Sequence, residues 1–234
     1  MNYSLVPVGH IQSPFKEKFA VPRQPGLAPS AKASIILTGD ANNEDAVRGL
    51  TQFSHIWVLF LFDQNLKQGW TPTVRPPRLG GNERVGVFAS RATFRPNGIG
   101  MSVVAIKNIR RVDSQVIIEI GSCDLVDGTP VVDIKPYIPY SDAVPDAIGG
   151  YASEAPQTLD VSFSAEANCA LSKINDGQHK AQVIKEVLAQ DPRPAYKKGK
   201  DDKKEYAVHL FDLNVKFIVD EPTIVVTTIE AFCD

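Results

Sequence analysis

The chain has 234 residues, 43% of them hydrophobic and 22% charged, with a formal net charge of −2. That hydrophobic share supports a real core and excludes wholesale disorder. The length suits one large domain or a domain with a smaller companion. The near-neutral charge excludes a global basic field, so any nucleic-acid contact must come from local patches.

In chain order, the first part reads as short β segments joined by Pro- and Gly-rich loops. Leu5–Ile11, Ala33–Leu37, His55–Phe62, Arg84–Phe88, Ser102–Ile109, Val116–Gly121 and Val131–Ile134 are rich in Val and Ile, and several alternate. Helical signal is sparse there; Asn43 to Leu50 predicts about two turns, capped by Asn42 or Asn43. Many short strands with few helices point to a sheet that closes or folds on itself. A linker composition follows at Pro139, Pro145, Gly149, Gly150 and Pro156. Beyond it, Leu159–Ala165 predicts a strand. His179–Gln190 predicts a helix, with Val183, Ile184, Val187 and Leu188 on one face and Asp191-Pro192 as its stop. Tyr206–Val219 and Thr223–Phe232 read as a closing hairpin. The expected architecture is mainly β: an N-terminal domain over residues 1–148 and a small α+β domain over 149–234.

Cys123, Cys169 and Cys233 are far apart, odd in number and without CxxC spacing or a nearby His. Neither a zinc site nor a disulfide framework is expected, and reduced cysteines in the cytoplasm are the simpler expectation. The first residues lack a basic region followed by an apolar stretch, so no secretory leader is expected. The longest apolar run, Ile56–Phe62, is too short to span a membrane.

The most informative stretch is Gly86–Gly100. An apolar run delivers the chain to a loop holding Arg91, Arg95 and Asn97, shaped by Pro96, Gly98 and Gly100. Two guanidinium forks on a constrained turn suit phosphate or carboxylate recognition. Gly98-Ile99-Gly100 is half of a dinucleotide fingerprint, but it leads into a strand, so a Rossmann fold fails its context test. Asp124 and Asp127 flank Leu125 and Val126 just before Gly128. That pattern suits either a capped β-turn or a pocket whose carboxylates bond ribose hydroxyls or face a cation. Between Arg193 and Lys204 six basic residues face two acidic ones, with Tyr196 and Tyr206 at the edges. Such a run is either a solvated loop or a grip for a phosphate backbone and exposed bases.

Five stretches together, Ser13–Leu27, Gly49–Trp57, Gly69–Gly81, Gly86–Ser102 and Gly121–Tyr137, closely resemble the TsaA-like (YaeB/TrmO) family, and Gln190–Tyr196 extends the likeness into the second domain. The resemblance implies a β-barrel, non-Rossmann methyltransferase that uses S-adenosylmethionine and no metal. It implies a cytoplasmic homodimer that acts on the anticodon loop of tRNA. The methyl group goes to N6 of the threonylcarbamoyl-adenosine at position 37 of threonine tRNA. Carried onto this sequence, the cofactor residues are Arg23, Gln24, Pro25, Asp63, Gln64, Arg91, Met101, Asp124, Leu125, Val126 and Asp127. Many relatives have Pro at the position of Gly98 and His at that of Asp63.

The residue types fit that chemistry. Arginine suits the cofactor's carboxylate, and aspartate suits its hydroxyls and sulfonium charge. The acceptor nitrogen must shed a proton, which makes Asp124 the candidate general base. Arg95, Asn97, Arg193, Tyr196, Lys197 and Lys198 are the candidate tRNA contacts. Two other readings compete: a non-catalytic RNA-binding module, and a barrel that senses S-adenosylmethionine without turnover.

Overall fold

The computed structural model describes residues 3–200 and 202–232, without the side chain of Lys203. Among them the chain forms two compact units. The first takes residues 33–121 and 128–154 with the N-terminal segment to Gln12. The second takes 13–32, 122–127 and the chain from Ala155 onward. The boundary near 154 lies close to the expected linker. Two segments expected in the first domain, 13–32 and 122–127, instead cluster with the second.

In the first unit β1 (Gly9–Gln12), β2 (Ala33–Leu37), β3 (His55–Leu61), β6 (Ile99–Val112), β7 (Gln115–Ile120) and β8 (Pro130–Pro136) close into a ring. The intervening chain holds α1 (Asp63–Leu66) and a small hairpin of β4 (Thr73–Val74) and β5 (Val85–Gly86). Every pairing in the ring is antiparallel, in the order β1-β2-β7-β6-β3-β8 and back to β1. Closure leaves no unpaired edge. Alternate residues point inward, so Ile35, Ile56, Val58, Val104 and Val131 are buried and their strand neighbours are not, while in β7 Val116, Ile117 and Ile118 are buried in succession. β6 is long because it serves two partners. Its first half pairs with β3 and its second half with β7, and a bulge between Ile106 and Asn108 marks the change.

Two expected elements come out differently. Arg84–Phe88 supplies only the two-residue β5, followed by a 3₁₀ turn at Val87–Ala89. Asn43–Leu50 makes a 3₁₀ turn at Glu44–Val47, capped by Asn43 Oδ1 accepting from the Asp45 amide at 2.9 Å.

α2 (Pro139–Asp142) closes the first unit. The second carries β9 (Asp160–Phe163), α3 (Ala165–Ser172), α4 (Gly177–Leu188), β10 (Asp202–Leu210), β11 (Leu213–Asp220) and β12 (Thr223–Ala231). Its sheet runs β10-β11-β12-β9, with β9 parallel to β12. The expected closing hairpin is therefore three strands, because Phe211 adopts a left-handed turn conformation between β10 and β11. α3 escaped the sequence reading. Its signal is Ser164, whose hydroxyl caps the Ala167 amide at 3.0 Å. α4 buries Val183, Ile184, Val187 and Leu188, the face its spacing predicts.

The segment 13–32 joins this unit through apolar burial and backbone bonding. Phe15, Ala28 and Ala31 sit in one core with Val187, Leu210 and Phe217. The Phe211 amide donates to the Pro14 carbonyl at 2.7 Å, and the Ser30 hydroxyl donates to Glu186 at 2.8 Å. Phe15→Ala should therefore cost about 3–5 kcal/mol. Hydrogen exchange is the check: protection should fall in α4 and β10–β12 while β2, β3 and β6 keep theirs.

Candidate active site

In the first unit the candidate site residues Asp63, Gln64 and Met101 lie where β3 ends and β6 begins. The register pairs Leu59 with Met101 and Leu61 with Ile99, and the Phe62 amide donates to the Gly98 carbonyl at 2.8 Å. Asp63 and Gln64 follow at once on α1, both exposed. Met101 projects from β6 with half of its surface exposed. Arg91 stands exposed on the loop before β6. Gly100 makes this approach possible, because a Cβ there would strike the rings of Phe60 and Phe62. Those rings meet edge to face at 5.1 Å.

The loop Arg95–Gly98 is held from within. The Arg95 guanidinium donates to the Ser90 carbonyl at 2.8 Å, so part of its capacity shapes the loop. Asn97 and Gly98 both have positive φ, +63° and +61°. Asn tolerates this conformation and Gly prefers it, whereas Pro is locked near φ −65°. Gly98 therefore gives this loop a path closed to Pro. Next to it lies a small open cleft of about 130 Å³ lined by Asn65, Leu66, Gly69, Trp70, Thr93, Arg95, Asn97 and Gly98.

The other expected cofactor residues, Arg23, Gln24, Pro25 and Asp124–Asp127, belong to the second unit. Asp127 is engaged within the protein: Oδ1 accepts the Ser13 amide at 2.9 Å, and Oδ2 accepts from Lys16 at 2.7 Å. Leu125 is buried, and its carbonyl accepts from the Ser13 hydroxyl at 2.8 Å. These bonds give Asp127 and Leu125 a role in holding the turn. Asp124 and Val126 are half-buried. The neighbouring Cys123 is fully buried, and burial, with the Asp124 charge second, pushes its thiol from 9.0 to about 12. Cys169 is exposed, and Cys233 lies outside the described residues.

Among the expected tRNA contacts, Arg193 must be withdrawn. Its side chain is 0% exposed and forks onto Asp191, Nε–Oδ1 2.8 Å and Nη2–Oδ2 3.0 Å. It also bonds Glu221 at 2.6 Å and the Lys200 carbonyl at 2.8 Å. A guanidinium consumed in this way cannot reach a phosphate. Lys197 pairs with Asp202 at 2.6 Å, which holds its ammonium charged well above the usual range. Lys198 is half-buried and bonds the Gln190 carbonyl at 3.1 Å; burial lowers its pKa. Tyr196 alone in this stretch presents a large exposed ring, 67% accessible.

With the geometry in hand, the comparisons decide the family. The model for the tRNA-methyltransferase O N-terminal domain matches residues 10–143, and the TrmO C-terminal domain matches 156–232. The chain belongs to the tRNA-methyltransferase O family. The chain is 54% identical to the tRNA (adenine(37)-N6)-methyltransferase of Escherichia coli K12, over 94% of each chain. It is 45% identical to a putative S-adenosylmethionine-dependent methyltransferase of Pseudomonas aeruginosa, over 96% of each. The crystal structure of TrmO from Pseudomonas aeruginosa superposes with a TM-score of 0.82 at 39% identity, covering 99% of both chains. The sheet-rich fold matches that structure, and no Rossmann arrangement occurs among the described residues.

Two outcomes follow from the buried groups. Arg193→Met leaves Asp191 and Glu221 without their cation and should lower unfolding free energy by about 3–5 kcal/mol in a urea titration. For Cys123, the raised folded pKa means its contribution to stability is complete below pH 9 and declines as pH rises toward 12. The fall in melting temperature over that window should be smaller in Cys123→Ala. At pH 8 the thiol should resist alkylation until the chain is unfolded, whereas Cys169 reacts.

Proposed function

We propose that this TrmO-family chain transfers a methyl group from S-adenosylmethionine to N6 of adenine 37 in tRNA. The observation that carries this reading is the 54% identity, over 94% of both chains, to an enzyme of that name. The finer assignment is to the threonylcarbamoyl-modified adenosine of threonine tRNA. We also take the closed six-strand ring as the family's β-barrel and the cytoplasm as the place of action. A homodimer is supported by the apolar side chains that the first unit leaves in water: Tyr140, Val144 and Ile148 are 91%, 65% and 96% exposed.

The donor set fits the cofactor in kind. When bound, S-adenosylmethionine supplies an electrophilic methyl group on a sulfonium. In the first unit Arg91 offers a fork suited to a carboxylate and Asp63 an acceptor for a hydroxyl or a positive charge; in the second, Arg23 and Asp124 offer the same pair of functions. Met101 presents apolar surface to an adenine or a thioether chain. Gln64 is assigned with the first unit's residues and Gln24, Pro25 and Val126 with the second's, where Asp127 and Leu125 hold the turn.

Methyl transfer needs an in-line approach of N6 to the methyl carbon and a home for the N6 proton. Asp124 is the residue assigned to accept that proton. Asn97, Arg95 and Tyr196 are assigned to the RNA. The division of work is cofactor and acceptor base in residues 1–148, and auxiliary RNA affinity in 149–234.

The direct test is the purified chain with labelled S-adenosylmethionine and threonine tRNA, read by mass spectrometry of the nucleosides. Methylated threonylcarbamoyl-adenosine is the expected product, and unmodified tRNA after prolonged incubation would overturn the assignment. Asp124→Asn should keep the fold by circular dichroism and lose most of the methylation rate; wild-type turnover in that variant removes Asp124 from the mechanism. Arg91→Lys keeps the charge but loses the fork. Its cofactor affinity by calorimetry should fall roughly tenfold or more.

A further inference from the structure

Residues 67–95 of the first unit carry Lys67, Arg75, Arg78, Arg84, Arg91 and Arg95 against one acidic residue, Glu83, in a chain whose net charge is −2. The way these guanidiniums are held matters more than their number. Arg78 donates to the Glu154 carbonyl, Arg84 to the Thr73 hydroxyl at 2.8 Å and Arg95 to the Ser90 carbonyl at 2.8 Å. Arg75 is exposed and makes no hydrogen bond or ion pair among the described residues. Elsewhere the pattern is different: Arg48, Arg110, Arg111 and Arg193 each bond a carboxylate. A neutral oxygen orients a guanidinium without cancelling its charge; a carboxylate cancels it. The arm therefore holds positive charge in place with donors to spare.

The same arm exposes aromatic surface. Trp70 is 53% exposed and lines the cleft beside Arg95 and Asn97, and Phe88 is 78% exposed. The other tryptophan, Trp57, is half-buried with its indole N–H donated to Asp142 at 2.9 Å. The arm is anchored to its own unit by the Tyr151 hydroxyl, which donates to the Ala89 carbonyl at 2.8 Å, and by Arg78 on the Glu154 carbonyl, and it is braced internally by the Val87 amide on the Pro72 carbonyl at 3.0 Å. An anchored arm that carries uncancelled guanidiniums and an exposed indole matches a single-stranded nucleic acid, which offers phosphates and unstacked base faces together.

We propose that this arm is the RNA-docking surface of the first unit. Trp70 stacks on one unpaired base of the RNA loop, and Arg75, Arg78 and Arg84 contact the flanking phosphates. This rests on the reading that the chain acts on tRNA, and it adds where the loop is gripped.

The test uses the full-length chain. Trp57→Phe leaves Trp70 as the fluorescent reporter, since the chain has two tryptophans. Three probes are titrated: a synthetic anticodon stem-loop RNA, the same stem as a closed duplex, and polyglutamate. The expected result is quenching by the stem-loop and little by the duplex or the polyglutamate. In an otherwise wild-type chain, Trp70→Ala should weaken stem-loop binding by about tenfold, and Trp70→Phe should recover much of the loss. The pair Arg75→Gln with Arg84→Gln should flatten the log–log salt dependence of binding by roughly 1.5. Cofactor affinity by calorimetry should stay within twofold in all of them.

If wild type binds the stem-loop and both Trp70→Ala and the double arginine variant bind it equally well with the same salt slope, the docking proposal is overturned while the tRNA reading stands. If wild type binds no RNA at all, both fall together. Quenching by polyglutamate in preference to RNA would assign the arm to an acidic protein and overturn the proposal as well. The salt slope keeps the test decisive even if Trp70→Ala folds poorly.

Discussion

The antiparallel register between β3 and β6 is the constraint on which the first unit's candidate site depends. It carries Leu59 opposite Met101 and Leu61 opposite Ile99, and the Phe62–Gly98 hydrogen bond extends it one step beyond the strands. A slip of one residue would turn Met101 inward and Gly100 outward, and would press a side chain into Phe60. Asp63, Gln64 and the Trp70 cleft follow directly from the end of β3, and the Arg95–Gly98 loop leads directly into β6. The chemistry-bearing loops of this unit are thus placed by strand pairing, and the ring that fixes the pairing has no edge from which it could unzip.

Electrostatics sorts the polar residues into two kinds. Asp127, Lys16, Arg193, Asp191, Glu221, Lys197 and Asp202 are spent on one another or on groups of the same unit. Arg78, Arg84 and Arg95 are held by carbonyl and hydroxyl oxygens, which orient them without cancelling their charge. Sequence composition does not distinguish these kinds, because both consist of Arg, Lys and Asp beside Gly and Pro. The distinction lies in what each group bonds.

This is why the fold was easier to read than the site. Period-two alternation in β2 and β3 and the Val183–Leu188 face of α4 are local signals, and the structure places those elements within a residue or two of expectation. What local signals miss is what depends on distant partners. β6 extends to fourteen residues because β3 and β7 lie on either side of it, and nothing between Ile99 and Val112 encodes those neighbours. Segment 13–32 looks like a loop of the first domain, yet Phe15 buries itself beside Leu210 and Phe217, far along the chain. The break at Phe211 was hidden by an unbroken run of apolar alternation on both sides.

The basic run of the second unit shows the same limit from the other direction. Counted along the sequence, Arg193 to Lys204 is strongly positive and looks like a grip for RNA. In three dimensions Asp191, just before the counted window, and Glu221, far beyond it, both bond Arg193, while Asp202 inside it takes Lys197 and the Tyr206 hydroxyl. A carboxylate two residues before the window and another 28 residues beyond Arg193 were enough to reverse the meaning of its largest donor. The arm around Trp70 escapes this reversal because its one acidic residue, Glu83, bonds none of its arginines. Positive charge along a sequence can serve as a binding surface only where the fold withholds the counter-charge, and among the described residues no carboxylate bonds Arg75, Arg78, Arg84 or Arg95.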